Sequence, residues 1–248
     1  MSEGTALVVG ATSGMARWAS VELARRGWKL ILAGRDMDEL NRIASDIEVR
    51  TGAHAHVEEF HGEDLESIGL WWRKLRGEHD DLRGVLLAYG EMRDQEEVNQ
   101  KPDLALTTML LNYNSPVYLL LHVARDFEEQ RHGWIAAISS VAGDRGRPGN
   151  YLYGSAKGGF SHFLEGLRAR LSHTGVQVTT IKPGFVDSPM TFGLKLPPLP
   201  IADPRDVGKV IVQSIEGRKD VVYVPGFWRL VMFVIRSVPE KIFKRMKF

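Results

Sequence analysis

The sequence contains no cysteine. Disulfides, a thiolate nucleophile and cysteine-ligated zinc are therefore excluded. No apolar run approaches the roughly 20 residues that a membrane-spanning helix requires. No basic segment followed by an apolar stretch marks the N-terminus as a secretory signal. We therefore expect a cytoplasmic protein, since a chain without disulfides suits a reducing compartment.

The chain also has little net charge, +1 in total. Lys and Arg do not cluster on a motif that reads nucleic acid, so we expect no nucleic-acid partner. The charge is unevenly distributed, however. Residues 227–248 contain six Lys or Arg and one Glu, a formal charge of +5, which leaves −4 on the remainder.

Short apolar runs alternate with helical patterns along the whole chain. Strands are predicted at 5–10, 28–33, 53–60, 82–88, 134–139, 176–181 and 221–224. Helices are predicted at 14–26, 36–50, 65–77, 101–125, 153–173 and 204–216. Continuous rather than alternating apolar runs indicate strands covered on both faces. This pattern predicts one α/β domain, a doubly wound parallel sheet with helices on both faces.

The turn after the first strand is rich in small residues and reads Gly10-Ala11-Thr12-Ser13-Gly14-Met15-Ala16. A turn without bulky side chains lets a pyrophosphate approach the backbone, and the N-terminus of the following helix offers free N–H groups and a favourable dipole. The spacing is not the commonest dinucleotide fingerprint, and such turns also occur as plain connectors. Its place at the first strand–helix junction favours a dinucleotide site.

The end of the second strand bears on the choice of cofactor. An acidic residue there accepts hydrogen bonds from the ribose 2′-OH of NAD, whereas arginine accommodates the 2′-phosphate of NADP. This chain has Gly34 at the expected acidic position, followed by Arg35 and Asp36. We predict NADP(H) over NAD(H). The alternative is an exposed Arg35 beside a helix that Asp36 caps.

Three polar residues suggest the chemistry. Tyr153 and Lys157 lie four residues apart, so on a helix they share one face. A nearby ammonium and an oxidised nicotinamide ring both favour the phenolate and would lower the Tyr153 pKa, which suits proton transfer to or from a carbonyl oxygen. Ser140 follows a predicted central strand, where ligands bind in open α/β sheets.

The order and spacing of Ser140, Tyr153 and Lys157 resemble the short-chain dehydrogenase/reductase family. Asn112 and the stretch Lys182–Ser188 fit the same pattern, and the resemblance covers roughly residues 5–225. The resemblance implies a Rossmann-type fold with Tyr153 as acid/base and Ser140 as the carbonyl orienter. Lys157 would bind the nicotinamide ribose, and Asn112 would anchor a water that relays protons. The implied cofactor-binding residues are Gly10, Thr12, Ser13, Gly14, Met15, Arg35, Ala88, Gly90, Tyr153, Lys157, Pro183, Gly184, Val186 and Ser188.

Two positions depart from the family pattern. Ala88-Tyr89-Gly90 stands where the family has Asn-Ala-Gly, and His61 stands where many members carry an adenine-contacting Asp, with Asp64 close enough to substitute. Neither position is one of the predicted catalytic residues. The eight histidines show no metal-ligand spacing, and we expect no metal site.

Segments 111–113 and 143–147 and the tail further resemble the ketoreductase partner of decaprenylphosphoryl-ribose 2-epimerases. This likeness implies a small-molecule or lipid-linked substrate such as a keto-sugar. Arg145 and Arg147 would either grip a substrate phosphate or lie on a solvated loop.

We predict a catalytic domain over residues 1–226, with residues 227–248 as a basic, apolar extension of the same domain. That tail is expected either to contact a membrane surface or to pack over the substrate site or a partner subunit. The family resemblance implies a homodimer or homotetramer through the helices at 101–125 and 153–173. The predicted function is hydride transfer between NADP(H) and a secondary alcohol or ketone. The alternative is a nucleotide-binding regulator or scaffold without turnover.

Overall fold

The computed structural model describes residues 4–191 and 199–246. The strands are β1 Thr5–Val9, β2 Lys29–Gly34, β3 Ala55–Glu59, β4 Leu82–Leu87, β5 Trp134–Ile138, β6 Gln177–Pro183 and β7 Val221–Val224. The α-helices are α1 Gly14–Arg25, α2 Met37–Thr51, α3 Leu65–Glu78, α4 Gln95–Gln100, α5 Leu104–Met109, α6 Ser115–Gln130, α7 Tyr151–Leu171, α8 Pro204–Glu216, α9 Trp228–Ser237 and α10 Glu240–Phe243.

The seven strands form one sheet in the order β3-β2-β1-β4-β5-β6-β7, and every neighbouring pair is parallel. Residues of β1 and β5 are buried throughout, as the continuous apolar runs predict. One apolar cluster lies between the sheet and α1, α2 and α8, and a second lies beneath α3, α6 and α7. The predicted doubly wound sheet with helices on both faces is confirmed.

The strand order reverses between β1 and β4, which pair from Ala6 with Gly84 to Val9 with Leu87. In open parallel sheets, ligands bind outside the carboxyl ends of the strands at such a reversal. The turn that begins at Gly10 and the segment that begins at Ala88 therefore lie side by side. The carboxyl end of β5, followed by Ser140, lies on the same edge of the sheet.

The helix predicted at 101–125 is confirmed with shifted ends and a π-helical turn inside it. Helical backbone runs without a break through α5, the π-helical turn Leu110–Asn114, and α6, which extends to Gln130. Pro116 has no N–H to donate to the carbonyl of Asn112 four residues earlier. The Ser115 N–H bonds the Leu110 carbonyl, five residues back, and this wider turn accommodates the proline.

Candidate active site

Gly10 fixes the path of the turn after β1. Its φ is +81°, and a Cβ at this position would lie 2.7 Å from the backbone nitrogen of Tyr89. No larger residue fits that approach. Ser13, the N-cap of α1, makes no side-chain capping hydrogen bond. The first N–H groups of α1 have no partner within the helix, so they could bind a phosphate.

Arg35 lies directly after β2 and is exposed. Its Nη1 atom is 3.3 Å from Oε1 of Glu63, in an ion pair whose two side chains are 65% and 41% exposed. Asp36 accepts a 2.9 Å hydrogen bond from the Glu39 N–H and so caps α2, as the alternative interpretation expects. The Asp36 carboxylate, next to Arg35 in the chain, therefore already accepts a hydrogen bond.

Backbone-to-backbone packing holds the Ser140 segment against α7. A Cβ on Gly143 would lie 2.6 Å from the Gly158 nitrogen, and one on Gly154 would lie 2.8 Å from the Ala142 oxygen. These contacts require residues without a side chain. This packing places Ser140 beside Tyr153, where its hydroxyl opposes the rise in the Tyr153 pKa.

Lys157 lies one turn after Tyr153 and is 3% exposed. Its Nζ donates to the Ile138 carbonyl at 3.2 Å and lies 5.9 Å from the Tyr153 ring centroid. Burial lowers the pKa of Lys157 to about 8. Burial also raises the pKa of Tyr153 to about 12, against an opposing effect of the Ser140 hydrogen bond. In the protein alone desolvation dominates the Tyr153 pKa, whereas the predicted lowering is for Lys157 acting together with an oxidised nicotinamide ring.

Asn112, in the π-helical turn, is fully buried. Its Nδ2 donates to the Glu91 carbonyl at 2.7 Å and to the Thr108 carbonyl at 2.9 Å. Two carbonyl acceptors fix the orientation of the amide, because only its nitrogen can donate. Oδ1 has no hydrogen-bond partner within the described residues. The Gly90 Cα borders both this oxygen and the Lys157 ammonium, since a Cβ there would lie 2.5 Å from Oδ1 and 3.3 Å from Nζ.

Tyr89, at a position that departs from the family pattern, packs between Gly10 and Gly62. Its hydroxyl is 2.7 Å from the Ser115 Oγ, and burial raises its pKa. A Cβ on Gly62 would lie 2.9 Å from the Tyr89 ring. Nearby, His61 bonds Glu59 at 2.9 Å, and Asp64 caps α3. Tyr89 thus fills space between the loops that follow β1 and β3.

The residues after β6 face the C-terminal tail. A Cβ on Gly184 would lie 1.9 Å from Nε1 of Trp228, so this indole requires the glycine. Val186 is 3% exposed and forms a parallel bridge with Ala202. The Ser188 Oγ lies 3.2 Å from the Thr191 hydroxyl.

Helix α9 packs its inner face over the segment that follows Ser140. Trp228 and Met232 are each 1% exposed and form an apolar cluster with Val141. The inner face of α9 therefore packs near the candidate site, as one of the two predictions for the tail expects.

Arg145 neither lies free for a substrate nor points into solvent. Its guanidinium donates to the carbonyls of Ile235 and Val238, both at 2.6 Å, and to Glu240 at 3.0 Å. It also lies 3.7 Å over the ring of Phe243. Both interpretations offered for Arg145 are corrected, because this side chain fastens the tail to the catalytic segment.

We expect Arg145→Ala to loosen α9 and to lower the free energy of unfolding by about 2 kcal/mol or more, since hydrogen bonds from a charged group are lost. Amide hydrogen exchange should accelerate over residues 228–243. Arg147→Ala is the matched control, because Arg147 lies on the same loop and forms no salt bridge among the described residues. Equal exchange in the two variants would contradict the fastening role.

Sequence reasoning missed Gln95, which is 7% exposed. Its Oε1 accepts from the Leu152 N–H at 3.0 Å and so caps the N-terminus of α7. Helix α7 begins at Tyr151, two residues before the predicted start. No local pattern indicates this contact, because Gln95 and Leu152 are distant in sequence.

His54 and His56, two residues apart on the chain, each lie beside a carboxylate. His54 lies 3.2 Å from Glu48, and His56 lies 2.9 Å from Glu58. Within residues 4–191 and 199–246, no group of three His, Asp or Glu side chains is placed to hold a metal ion.

Comparison with known sequences agrees with this geometry. The family described as short chain dehydrogenase matches residues 4–196. An uncharacterized oxidoreductase of Mycobacterium tuberculosis is 33% identical over 91% of each chain. An uncharacterized oxidoreductase of Streptomyces coelicolor is 32% identical over 97% of this chain and 94% of its own.

Solved structures with lower identity share the fold. A short-chain dehydrogenase from Sphingobium yanoikuyae in complex with NADPH superimposes with a TM-score of 0.82 at 21% identity, over 96% of this chain and 97% of its own. A bulky-bulky ketone specific alcohol dehydrogenase from Comamonas testosteroni gives 0.80 at 20% identity, over 97% and 96%. With most of its length matched by the family and by relatives of this identity, the chain belongs to the short-chain dehydrogenase family.

Proposed function

We propose that this protein transfers a hydride between NADP(H) and a secondary alcohol or ketone. The observation that carries the proposal is the convergence of Asn112, Ser140, Tyr153 and Lys157 at one edge of the sheet. Ser140 acts on the Tyr153 pKa from beside it, and Lys157 lies one helical turn after Tyr153. The turn from Gly10 to Met15 lies on the same edge and suits a pyrophosphate.

In the reducing direction, NADPH supplies the hydride to the carbonyl carbon. The Tyr153 hydroxyl donates its proton to the carbonyl oxygen, and the product is the alcohol. With a pKa of about 12, Tyr153 is a phenol at neutral pH and holds the required proton. Ser140 orients the carbonyl oxygen by hydrogen bonding. This protonation state favours reduction over oxidation at neutral pH.

We propose that Lys157 and Asn112 help to return a proton to Tyr153 after its hydroxyl has donated one. The Lys157 ammonium is placed to bind the nicotinamide ribose and to stabilise the phenolate that forms when Tyr153 donates. The unpartnered Asn112 Oδ1 suits a water molecule, since a buried acceptor without a partner is costly. Such a water could pass a proton toward Lys157 and then Tyr153.

We propose that Thr12, Ser13 and Met15 line the pyrophosphate, with Gly10 and Gly14 giving it access. Ala88 and Gly90 would flank the cofactor at the sheet reversal. Four residues at and after the end of β6 would border the nicotinamide: Pro183, Gly184, Val186 and Ser188.

Arg35 supports the preference for NADP(H). Its ion pair with Glu63 is exposed, and pairs of that kind contribute only about 0–1 kcal/mol, so a 2′-phosphate could displace Glu63. Asp36 already accepts a hydrogen bond as the cap of α2 and is therefore less available to a ribose 2′-OH.

Titration with NADPH and NADH, followed by fluorescence, tests the cofactor proposal. We expect NADPH to bind at least about tenfold more tightly, and Arg35→Ala to weaken NADPH binding by about tenfold while sparing NADH, because a bidentate phosphate contact is lost. Arg42→Ala is the matched control, an exposed arginine on α2. Tighter NADH binding would overturn the cofactor choice. Binding of neither dinucleotide would favour the regulator or scaffold alternative.

The narrower proposal of a keto-sugar or lipid-linked substrate is supported by the sequence likeness at 111–113 and 143–147. Because Arg145 fastens the tail, Arg147 is the arginine of segment 143–147 that could bind a substrate phosphate. Its Nε is buried without a partner among the described residues, and burial lowers its pKa. Screening keto-sugars and their phosphates with Arg147→Ala tests this substrate class.

We also propose a homodimer or homotetramer. Exposed apolar side chains on α5 and α6 support a contact there. Leu106 is 73% exposed, Tyr118 40% and Leu121 44%. Sedimentation equilibrium of Leu121→Glu should show a smaller species than the natural chain.

A further inference from the structure

Helix α9 has two apolar faces, which is unusual for a surface helix. The inner face, with Trp228 and Met232, is buried against the protein. On the outer face Leu230 is 68% exposed, Phe233 70% and Val234 56%. These three side chains follow i, i+3 and i+4 spacing and therefore lie on one side of the helix.

Cations flank this outer face. Arg229 and Arg236 line an open concavity of about 820 Å³, together with Leu230, Phe233 and Ser237 of the same helix. Within residues 4–191 and 199–246, neither guanidinium lies at ion-pair distance from a carboxylate. The two arginines are available to an anionic partner.

The basic, apolar character continues past α9. Lys241, Lys244 and Arg245 are exposed, and Ile242 is 57% exposed. Glu240 is the single acidic residue of the segment 227–248, and Arg145 binds it at 3.0 Å. The exposed part of the tail therefore presents positive charge beside apolar side chains.

An anionic lipid surface complements both properties at once. Apolar side chains of an interfacial helix enter the boundary between headgroups and acyl chains, and Arg or Lys side chains meet the lipid phosphates. A second copy of the chain would complement only the apolar part. A twofold contact through this face would bring Arg229 and Arg236 near the same arginines of the other copy. Repulsion between these like charges opposes such a dimer.

We propose that α9 is an interfacial helix that docks the protein on an anionic lipid surface. Leu230, Phe233 and Val234 enter the lipid, and Arg229 and Arg236 contact lipid phosphates. The inner face of the same helix packs on Val141, next to Ser140. Docking would therefore hold the catalytic segment close to the membrane. The described chain has no helix long and apolar enough to span a bilayer, so the association is peripheral.

Vesicle flotation with the full-length protein tests the proposal directly. Vesicles of pure phosphatidylcholine are compared with vesicles containing about one third phosphatidylglycerol. We expect at least about tenfold stronger binding to the anionic vesicles. Binding should weaken when salt is raised from about 0.1 M to about 1 M, because the screening length shortens from about 10 Å to about 3 Å.

Two variants separate the charged and apolar contributions. Arg229→Gln/Arg236→Gln should lower binding to anionic vesicles by roughly tenfold to thirtyfold, the loss expected for two interfacial cations. Leu230→Ser/Phe233→Ser should abolish flotation. Leu70→Ser and Arg42→Gln are the matched controls, because these side chains are 65% and 72% exposed on α3 and α2.

Three results would overturn the proposal. One is equal binding to neutral and anionic vesicles, and another is unchanged flotation of both tail variants. The third is a dimer in sedimentation equilibrium, without vesicles, that Leu230→Ser/Phe233→Ser dissociates. NADPH binding by each variant reports its folding. Because flotation requires no turnover, failure of lipid docking and failure of the proposed hydride transfer can be told apart.

Discussion

Tyr153→Phe should lower kcat for carbonyl reduction by about 10²–10⁴-fold, the usual contribution of a positioned general acid. The phenylalanine ring preserves the packing of the half-buried side chain but has no proton to donate. NADPH affinity should change by no more than about twofold, because Lys157 and the turn after β1 are untouched. Steady-state kinetics with a reducible ketone, together with a fluorescence titration, measures both quantities.

Tyr151→Phe is the matched control for this experiment. Tyr151 lies on the same first turn of α7, is 48% exposed, and bonds Asn99 on α4. The control should retain turnover within a few-fold. If Tyr153→Phe also kept its turnover, the acid role would belong to another group. If it lost NADPH binding as well, Tyr153 would be a structural residue.

Asp144→Asn should lower the free energy of unfolding by about 3–5 kcal/mol, because it leaves a buried lysine without its counter-charge. Asp144 Oδ1 lies 2.6 Å from Lys182 Nζ, and the two side chains are 3% and 12% exposed. The Tyr223 hydroxyl donates to the other carboxylate oxygen at 2.8 Å. Asparagine can still accept from Tyr223, so the charge pairing is the main loss. Urea denaturation measures the change.

Two comparisons test this cause. Asp144→Asn/Lys182→Met removes both charges and should regain most of the lost stability, since no unpaired ion remains. Asp206→Asn breaks the exposed pair with Lys209, whose side chains are 72% and 54% exposed, and should cost no more than about 1 kcal/mol. Equal losses from Asp144→Asn and Asp206→Asn would exclude a buried ion pair as the source.

Much of the fold follows from local sequence pattern. Continuous apolar runs predict the buried strands, and their alternation with helical segments predicts the parallel sheet. Two missed elements have different causes. Pro116 carries a local signal for the π-helical turn within the long helix, because proline cannot donate the required N–H. The capping of α7 by Gln95 has no such signal, since the partners meet only in the folded chain.

Part of the candidate site can likewise be predicted from local sequence, and part depends on contacts between distant segments. Tyr153 and Lys157 can be paired from spacing alone, because four residues make one helical turn. That Ser140 lies beside Tyr153 depends on the close packing of Gly143 on α7, which joins separate segments. The burial that raises the pKa of Tyr153 in the protein alone has no local signal, because it depends on all the surrounding elements.

The sequence by itself determined the strand–helix alternation, the glycine-rich turn, the spacing of Tyr153 and Lys157 and the basic tail. Each of these depends on residues close together in the chain, whose geometry is set by backbone periodicity. Tertiary structure alone decided that Arg145 fastens the tail, that Asp144 and Lys182 form a buried pair, and that the outer face of α9 stays exposed. Those outcomes depend on contacts between distant segments, where burial and charge pairing are fixed only by packing.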